Sequence, residues 1–183
     1  MLQITVPQGE FFDEVNQRFV YTKEQTLQLE HSLLSLSKWE SKWKKPFSDP
    51  KTQKTLEEQL DYVRCMTLTK NVDPNVYMSL TRNQIKQINE YIDDPMTATT
   101  FSEDKRKPKR PNKQIITAEI LYYDMIAYNI PFECEKWHLN RLITLIRVCN
   151  IKNNPPKPRS KKELRNSYAA LNAARRKRHN TKG

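Results

Sequence analysis

The stretch Ile116-Thr117-Ala118-Glu119-Ile120-Leu121-Tyr122-Tyr123-Asp124-Met125-Ile126-Ala127-Tyr128-Asn129 decides the fold class. Ile116, Ile120, Leu121, Tyr123, Met125, Ile126 and Tyr128 leave almost no polar side. The spacing therefore predicts a helix buried between others and ended by Pro131. A second helix is predicted from about Glu133 to Ile151, with Leu139, Leu142, Ile146 and Cys149 on one face and Ile143 and Leu145 beside them. Asn153-Asn154-Pro155-Pro156 stops it. These two helices are the expected centre of the core, where about ten side chains at roughly 1.5–3 kcal/mol each offset chain entropy.

Upstream, helix starts are marked by the capping-box pattern, a Ser or Thr followed three residues on by Glu or Gln. It reads as Ser37/Glu40, Thr55/Glu58, Thr81/Gln84 and Ser160/Glu163. The first of these helices is short because Pro46 cannot continue it. The second places Leu56, Leu60 and Val63 on one stripe near Cys65 and Met66, and the third aligns Ile85, Ile88 and Ile92 before Asp93-Asp94-Pro95. Further back the period changes. Leu2, Ile4 and Val6 alternate with polar residues, Phe11-Phe12 and Phe19-Val20-Tyr21 flank a polar turn, and Leu27, Leu29 and Leu33 alternate again. The expected architecture is mainly α with a small N-terminal antiparallel β element, an α+β fold. It divides into a β element over 1–33, a helical domain over 34–154 and a basic helical tail over 155–183.

Composition narrows function. The 183 residues carry a formal net charge of +11 with 37% hydrophobic residues, too many for a disordered chain. The only glycines are Gly9 and Gly183, so Walker A, dinucleotide and nucleophile-elbow patterns cannot be written. Three widely spaced cysteines, Cys65, Cys134 and Cys149, point to a reducing compartment rather than a disulfide framework. No signal peptide and no run of about 20 apolar residues is read, which predicts a soluble intracellular protein without a membrane segment.

Charge is uneven. Residues 1–102 hold 12 Lys+Arg and 14 Asp+Glu, whereas residues 103–183 hold 20 and 7. The proline-containing loop at about 103–114 presents Lys105, Arg106, Lys107, Lys109 and Arg110, and the tail presents Arg175, Arg176, Lys177 and Arg178. The tail has high helix propensity but only a thin apolar stripe, Leu164, Tyr168 and Leu171, so it is expected to fray unless bound. Both basic segments are candidate partner-binding sites, for nucleic acid or for an acidic protein surface.

Trp39 and Trp43 lie four apart on one helical face and form the remaining candidate site. The plain reading is a clamp of the sheet onto the helical body; the functional one is an aromatic anchor rimmed by Lys38, Lys42, Lys44 and Lys45. Cys134 and His138, with Cys149 beyond, could ligate zinc by spacing, but no CxxC accompanies them and packing accounts for the cysteines more simply. A Cys–His catalytic pair lacks an orienting acid and an oxyanion loop. The expectation is no enzyme, no cofactor and no metal.

Four segments carry a family resemblance. They are Ser35-Leu36-Ser37-Lys38-Trp39-Glu40-Ser41-Lys42-Trp43-Lys44-Lys45-Pro46-Phe47, then Tyr91-Ile92-Asp93-Asp94-Pro95-Met96-Thr97-Ala98-Thr99, then Ile115-Ile116-Thr117-Ala118-Glu119-Ile120-Leu121-Tyr122-Tyr123, and finally Asn129-Ile130-Pro131-Phe132-Glu133-Cys134-Glu135-Lys136-Trp137-His138-Leu139-Asn140-Arg141-Leu142. Together with Leu171-Asn172-Ala173-Ala174-Arg175-Arg176 and the closing Thr181-Lys182-Gly183, the chain resembles tail assembly chaperones of long-tailed bacteriophages. The resemblance covers nearly the whole chain, although its motifs carry no catalytic meaning. It implies a mostly helical, non-enzymatic assembly factor of the host cytoplasm that coats the apolar tape-measure protein and assists tail-tube assembly, with tape-measure and tail-tube proteins as partners. In many such phages a frameshifted longer product exists. Self-association, a nucleic-acid-binding phage protein and a structural tail or connector protein of the virion stay open as alternatives.

Overall fold

A computed structural model describes residues 1–13, 17–51, 53–101, 115–154 and 161–180. The chain is mainly helical with a small antiparallel N-terminal β element. Residues Met1–Cys149 form one compact unit and Asn150–Gly183 a second.

Strand β1 (Leu2–Val6) pairs antiparallel with β4 (Gln25–Leu29), in the register Leu2↔Leu29, Ile4↔Leu27, Val6↔Gln25. Between them in sequence, β2 (Gly9–Asp13) and β3 (Arg18–Thr22) make a second two-stranded sheet. Alternation puts Ile4, Val6, Leu27 and Leu29 inward, all buried. The outer edge of β4 is covered by the chain leaving the second helix, where Glu30 donates to the Met66 carbonyl at 2.9 Å and Leu68 to that of Gln28 at 2.8 Å. That pairing removes one exposed sheet edge.

Helix α1 (Leu33–Trp43) starts at Ser32, whose side chain accepts from the Ser35 amide while the Ser35 hydroxyl accepts from the Ser32 amide. The expected start at Ser37/Glu40 is thereby corrected, and Leu33 belongs to the helix instead of the sheet. Glu40 is engaged elsewhere, accepting from the amides of Phe47 at 2.8 Å and Ala118 at 2.7 Å. Helices α2 (Leu56–Met66) and α3 (Arg82–Asp93) start at Thr55/Glu58 and Thr81/Gln84 as the sequence indicates, both with reciprocal capping bonds. Ser160 lies outside the described residues, so the fourth box is not placed. With almost no glycine, the chain turns corners on other residues: Lys44 ends α1 at φ 53°, and Asn129 follows α4 (Ala118–Ala127) at φ 52°.

Among the described residues the core forms two apolar clusters. One joins Ile4, Val6, Leu27 and Leu29 to Trp39, Tyr62, Met66 and Ile88; the other joins Leu33 and Leu36 to Leu121, Met125, Leu142 and Ile146. α1 contributes to both, and it, rather than the 116–151 pair alone, is the central element. α4 is not buried all round: Ala118, Leu121 and Met125 face inward, while Tyr123 and Ile126 are 69% and 61% exposed. Its inner side packs on α1, and among the described residues of the first unit no further layer covers its outer side. The expected long helix from Glu133 is also shorter. Phe132–Lys136 is a 3-10 turn, and α5 (Leu139–Asn153) begins only after the chain has crossed α1's start, with Leu139 donating to the His31 carbonyl at 2.7 Å.

In the second unit, α6 (Lys161–His179) is one continuous helix.

Candidate functional site

The tryptophan pair closes α1 onto α2. Trp39 is fully buried and its Nε1 donates to the Glu58 carbonyl at 2.8 Å. Half-buried Trp43 donates through Nε1 to Asp61 Oδ2 at 2.8 Å. Phe47 meets the Trp39 ring edge-on at 5.1 Å and lies 4.0 Å from the Tyr62 ring. Two of the surrounding lysines are already engaged: Lys42 Nζ lies 2.5 Å from Asp61 Oδ1 and Lys45 Nζ 2.5 Å from Glu58 Oε1. The Lys45 contact, aided by the Thr55 amide, holds the Glu58 carboxyl below the usual carboxylate range. α2 thus buries Glu58, Asp61, Tyr62 and Met66, whereas Leu56, expected on its apolar stripe, is exposed. Trp39 offers no surface to a partner, and the geometry is that of a clamp.

Beside the clamp lies an open apolar groove of about 410 Å³ between α2 and α3. Leu56, Leu60, Val63, Ile85, Ile88 and Ile92 line it together with Phe47 and Tyr62. Lys54 also lines it, its Nζ 4.2 Å from the Phe47 ring centroid, and burial lowers its pKa. The isoleucine triad read from the sequence supplies one wall, but nothing in the local pattern signals that α2 leaves its opposing wall unfilled. A second exposed apolar surface is the outer face of the β2–β3 ribbon, where Phe12, Phe19 and Tyr21 are exposed.

No family model, no curated protein and no solved structure matches the chain.

Cys134 and His138 occupy the first unit's interior rather than a cleft. Burial pushes the Cys134 thiol pKa up, away from the thiolate a nucleophile needs. Among the described residues, no group of three or more His, Cys, Asp or Glu is placed to hold a metal ion. His138 Nε2 donates to the Tyr91 carbonyl at 2.9 Å, which leaves the lone pair on Nδ1, a buried atom without a hydrogen-bond partner. Its ring packs edge-on against His31 at 5.1 Å, and the Tyr62 hydroxyl lies 2.6 Å from His31 Nδ1. This two-histidine core is not legible in sequence, since the residues are 107 positions apart with no shared motif.

Burial, reinforced by His138, lowers the His31 pKa from 6.5 to about 4. The unfolded chain therefore takes up the His31 proton first as pH falls. Stability from this group is complete above about pH 6.5 and is lost progressively down to about 4. The full span corresponds to about 3 kcal/mol, of which roughly 2 kcal/mol falls between pH 7.5 and 5. Urea midpoints at those two pH values are expected to show that loss in the native chain and a clearly smaller one in His31→Gln. Equal losses in the two proteins would remove His31 as the cause.

Lys105, Arg106, Lys107, Lys109 and Arg110 lie outside the described residues. Arg175, Arg176, Lys177 and Arg178 form the last turns of α6 in the second unit, all exposed. Among the described residues no helix is long and apolar enough to cross a membrane.

Proposed function

We propose that the protein is a non-enzymatic binding protein, a tail assembly chaperone that shields apolar helical stretches of a tape-measure protein while tail-tube subunits assemble around it. The observation that carries this reading is the open apolar groove between α2 and α3. Its walls come from apolar residues of two helices, which suits an amphipathic helix presenting residues at i, i+3 and i+4. The resemblance of the sequence to phage tail chaperones supplies the partner, and the host cytoplasm is where such assembly takes place.

Leu56 gives a variant that separates binding from folding. It is the first residue of α2, 65% exposed on the groove wall, just after the Thr55 cap. An acid in the first helical turn is favoured by the helix dipole by about 0.3–1 kcal/mol. Leu56→Glu is expected to leave the urea midpoint within error while placing a charge in the apolar cleft. Co-expression with a tape-measure protein should keep that partner soluble with the native chain and lose most of the soluble fraction with Leu56→Glu. Equal partner solubility with and without this chain would overturn the proposal.

A further inference from the structure

α6 combines three features that no other described element shares. From Tyr168 to Asn180 every residue is exposed, so its whole circumference is open. Lys161 and Arg165 stand near its start, and Arg175, Arg176, Lys177 and Arg178 near its end. None of those six is in a salt bridge among the described residues. Between the two cationic ends, Ala169, Ala170, Ala173 and Ala174 make one side of the middle slim, with Tyr168, Leu171 and Asn172 on the other.

Successive helical residues are rotated by about 100°, so four consecutive cations point to all sides of the rod. A flat acidic protein surface can engage only about half of such a circumference. A groove walled on both sides by phosphates can engage all of it. The helix is about 28 Å long, with the 10–12 Å diameter of a helix and its alanine side the slimmer one. The B-DNA major groove, about 12 Å wide, admits a rod of that size, whereas the major groove of A-form RNA is deep and narrow. From these features we infer that α6 binds the major groove of duplex DNA without sequence preference, the alanine side seated in the groove and the two cationic ends on the flanking phosphates. The inference does not depend on the α2–α3 groove or on the function proposed for it.

The test uses the full chain and a labelled duplex of about 25 base pairs, with affinity followed by fluorescence anisotropy from 50 to 200 mM salt. Four or five phosphate contacts give a slope of log K against log salt of about −4, a loss of roughly 10²–10³-fold across that range. The variant R175A/R176A/K177A/R178A is expected to flatten the slope by about three and to weaken binding at least 30-fold at low salt. A169L/A173L keeps the charge and the helix propensity but thickens the alanine side, and is expected to lose at least fivefold. A slope shallower than −2, full affinity in the quadruple alanine variant, or displacement of DNA by poly-glutamate at equal charge would each overturn the inference. Equal affinity for a double-stranded RNA of the same length would overturn the groove assignment.

Discussion

Trp39→Ala is expected to destabilise the first unit by about 4–6 kcal/mol, more than any other single substitution at the clamp. Two terms make up that figure. Removing a fully buried indole costs roughly 3–5 kcal/mol in lost transfer energy and residual cavity, because Phe47, Tyr62 and Trp43 cannot all close the gap. A further ~1 kcal/mol comes from the Glu58 carbonyl, which loses the Nε1–H donor at 2.8 Å. Domains of this size have about 5–15 kcal/mol in total, so much of the variant should be unfolded near body temperature. Trp39→Phe keeps most of the packing and forfeits the hydrogen bond, and is expected to cost about 1–2 kcal/mol. Urea unfolding followed by far-UV circular dichroism avoids relying on the fluorophore being replaced. If the alanine variant loses less than about 2 kcal/mol, the clamp between α1 and α2 is not the keystone its burial indicates.

What can be read from sequence divides along the distance over which each interaction acts. Thr55/Glu58 and Thr81/Gln84 are correct helix starts because the bonds they report close within three residues. The β alternation at Ile4, Val6, Leu27 and Leu29 is likewise correct, since inward and outward faces follow from the pleat itself. Failures come where a long-range partner takes a residue away from its local role. His138 pairs with Ser32 in an isolated bridge, and that crossing breaks the expected helix at 133 into a 3-10 turn and a later α5. The circumference of 116–129 is apolar in sequence, yet among the described residues only one side finds neighbours, and Tyr123 and Ile126 are exposed.

The candidate site is legible in part for the same reason. Helical spacing alone brings Trp39 and Trp43 to one face, but it suggests a clamp on the sheet and does not show that both indoles bond to α2. The two buried acids that complete it, Glu58 and Asp61, carry an outward-facing signature. Carboxylates go inside only with partners, and here the partners are Lys45, Lys42 and Trp43 from outside α2. The groove is hidden for a different reason: it is defined by the space between two helices, and helix periodicity specifies each wall without specifying the gap.

Glu40 shows most clearly how a local motif can mislead, and it carries the second large prediction. Its spacing from Ser37 fits a capping box, but α1 is already running at that point and needs no cap. The buried carboxylate instead reaches the amide of Phe47 with Oε1 and that of Ala118 with Oε2. Ala118 is the first residue of α4, and its cap residue Thr117 contributes no side-chain bond, so Glu40 caps that helix from 78 positions away. The positive end of the α4 dipole offsets its charge there, and among the described residues no cation forms a salt bridge with it. Glu40→Ala strands two amides at once, at about 1–3 kcal/mol each, and opens a small cavity, for a total of roughly 3–5 kcal/mol. Glu40→Gln retains a single acceptor oxygen and is expected to fall between the native chain and the alanine variant. Hydrogen exchange gives the specific readout: the Ala118 amide should be strongly protected in the native chain and exchange faster in Glu40→Ala by more than the global stability loss accounts for. An Ala118 amide whose exchange changes only with global stability would show that water replaces the carboxylate there, and the long-range cap would have no energetic standing.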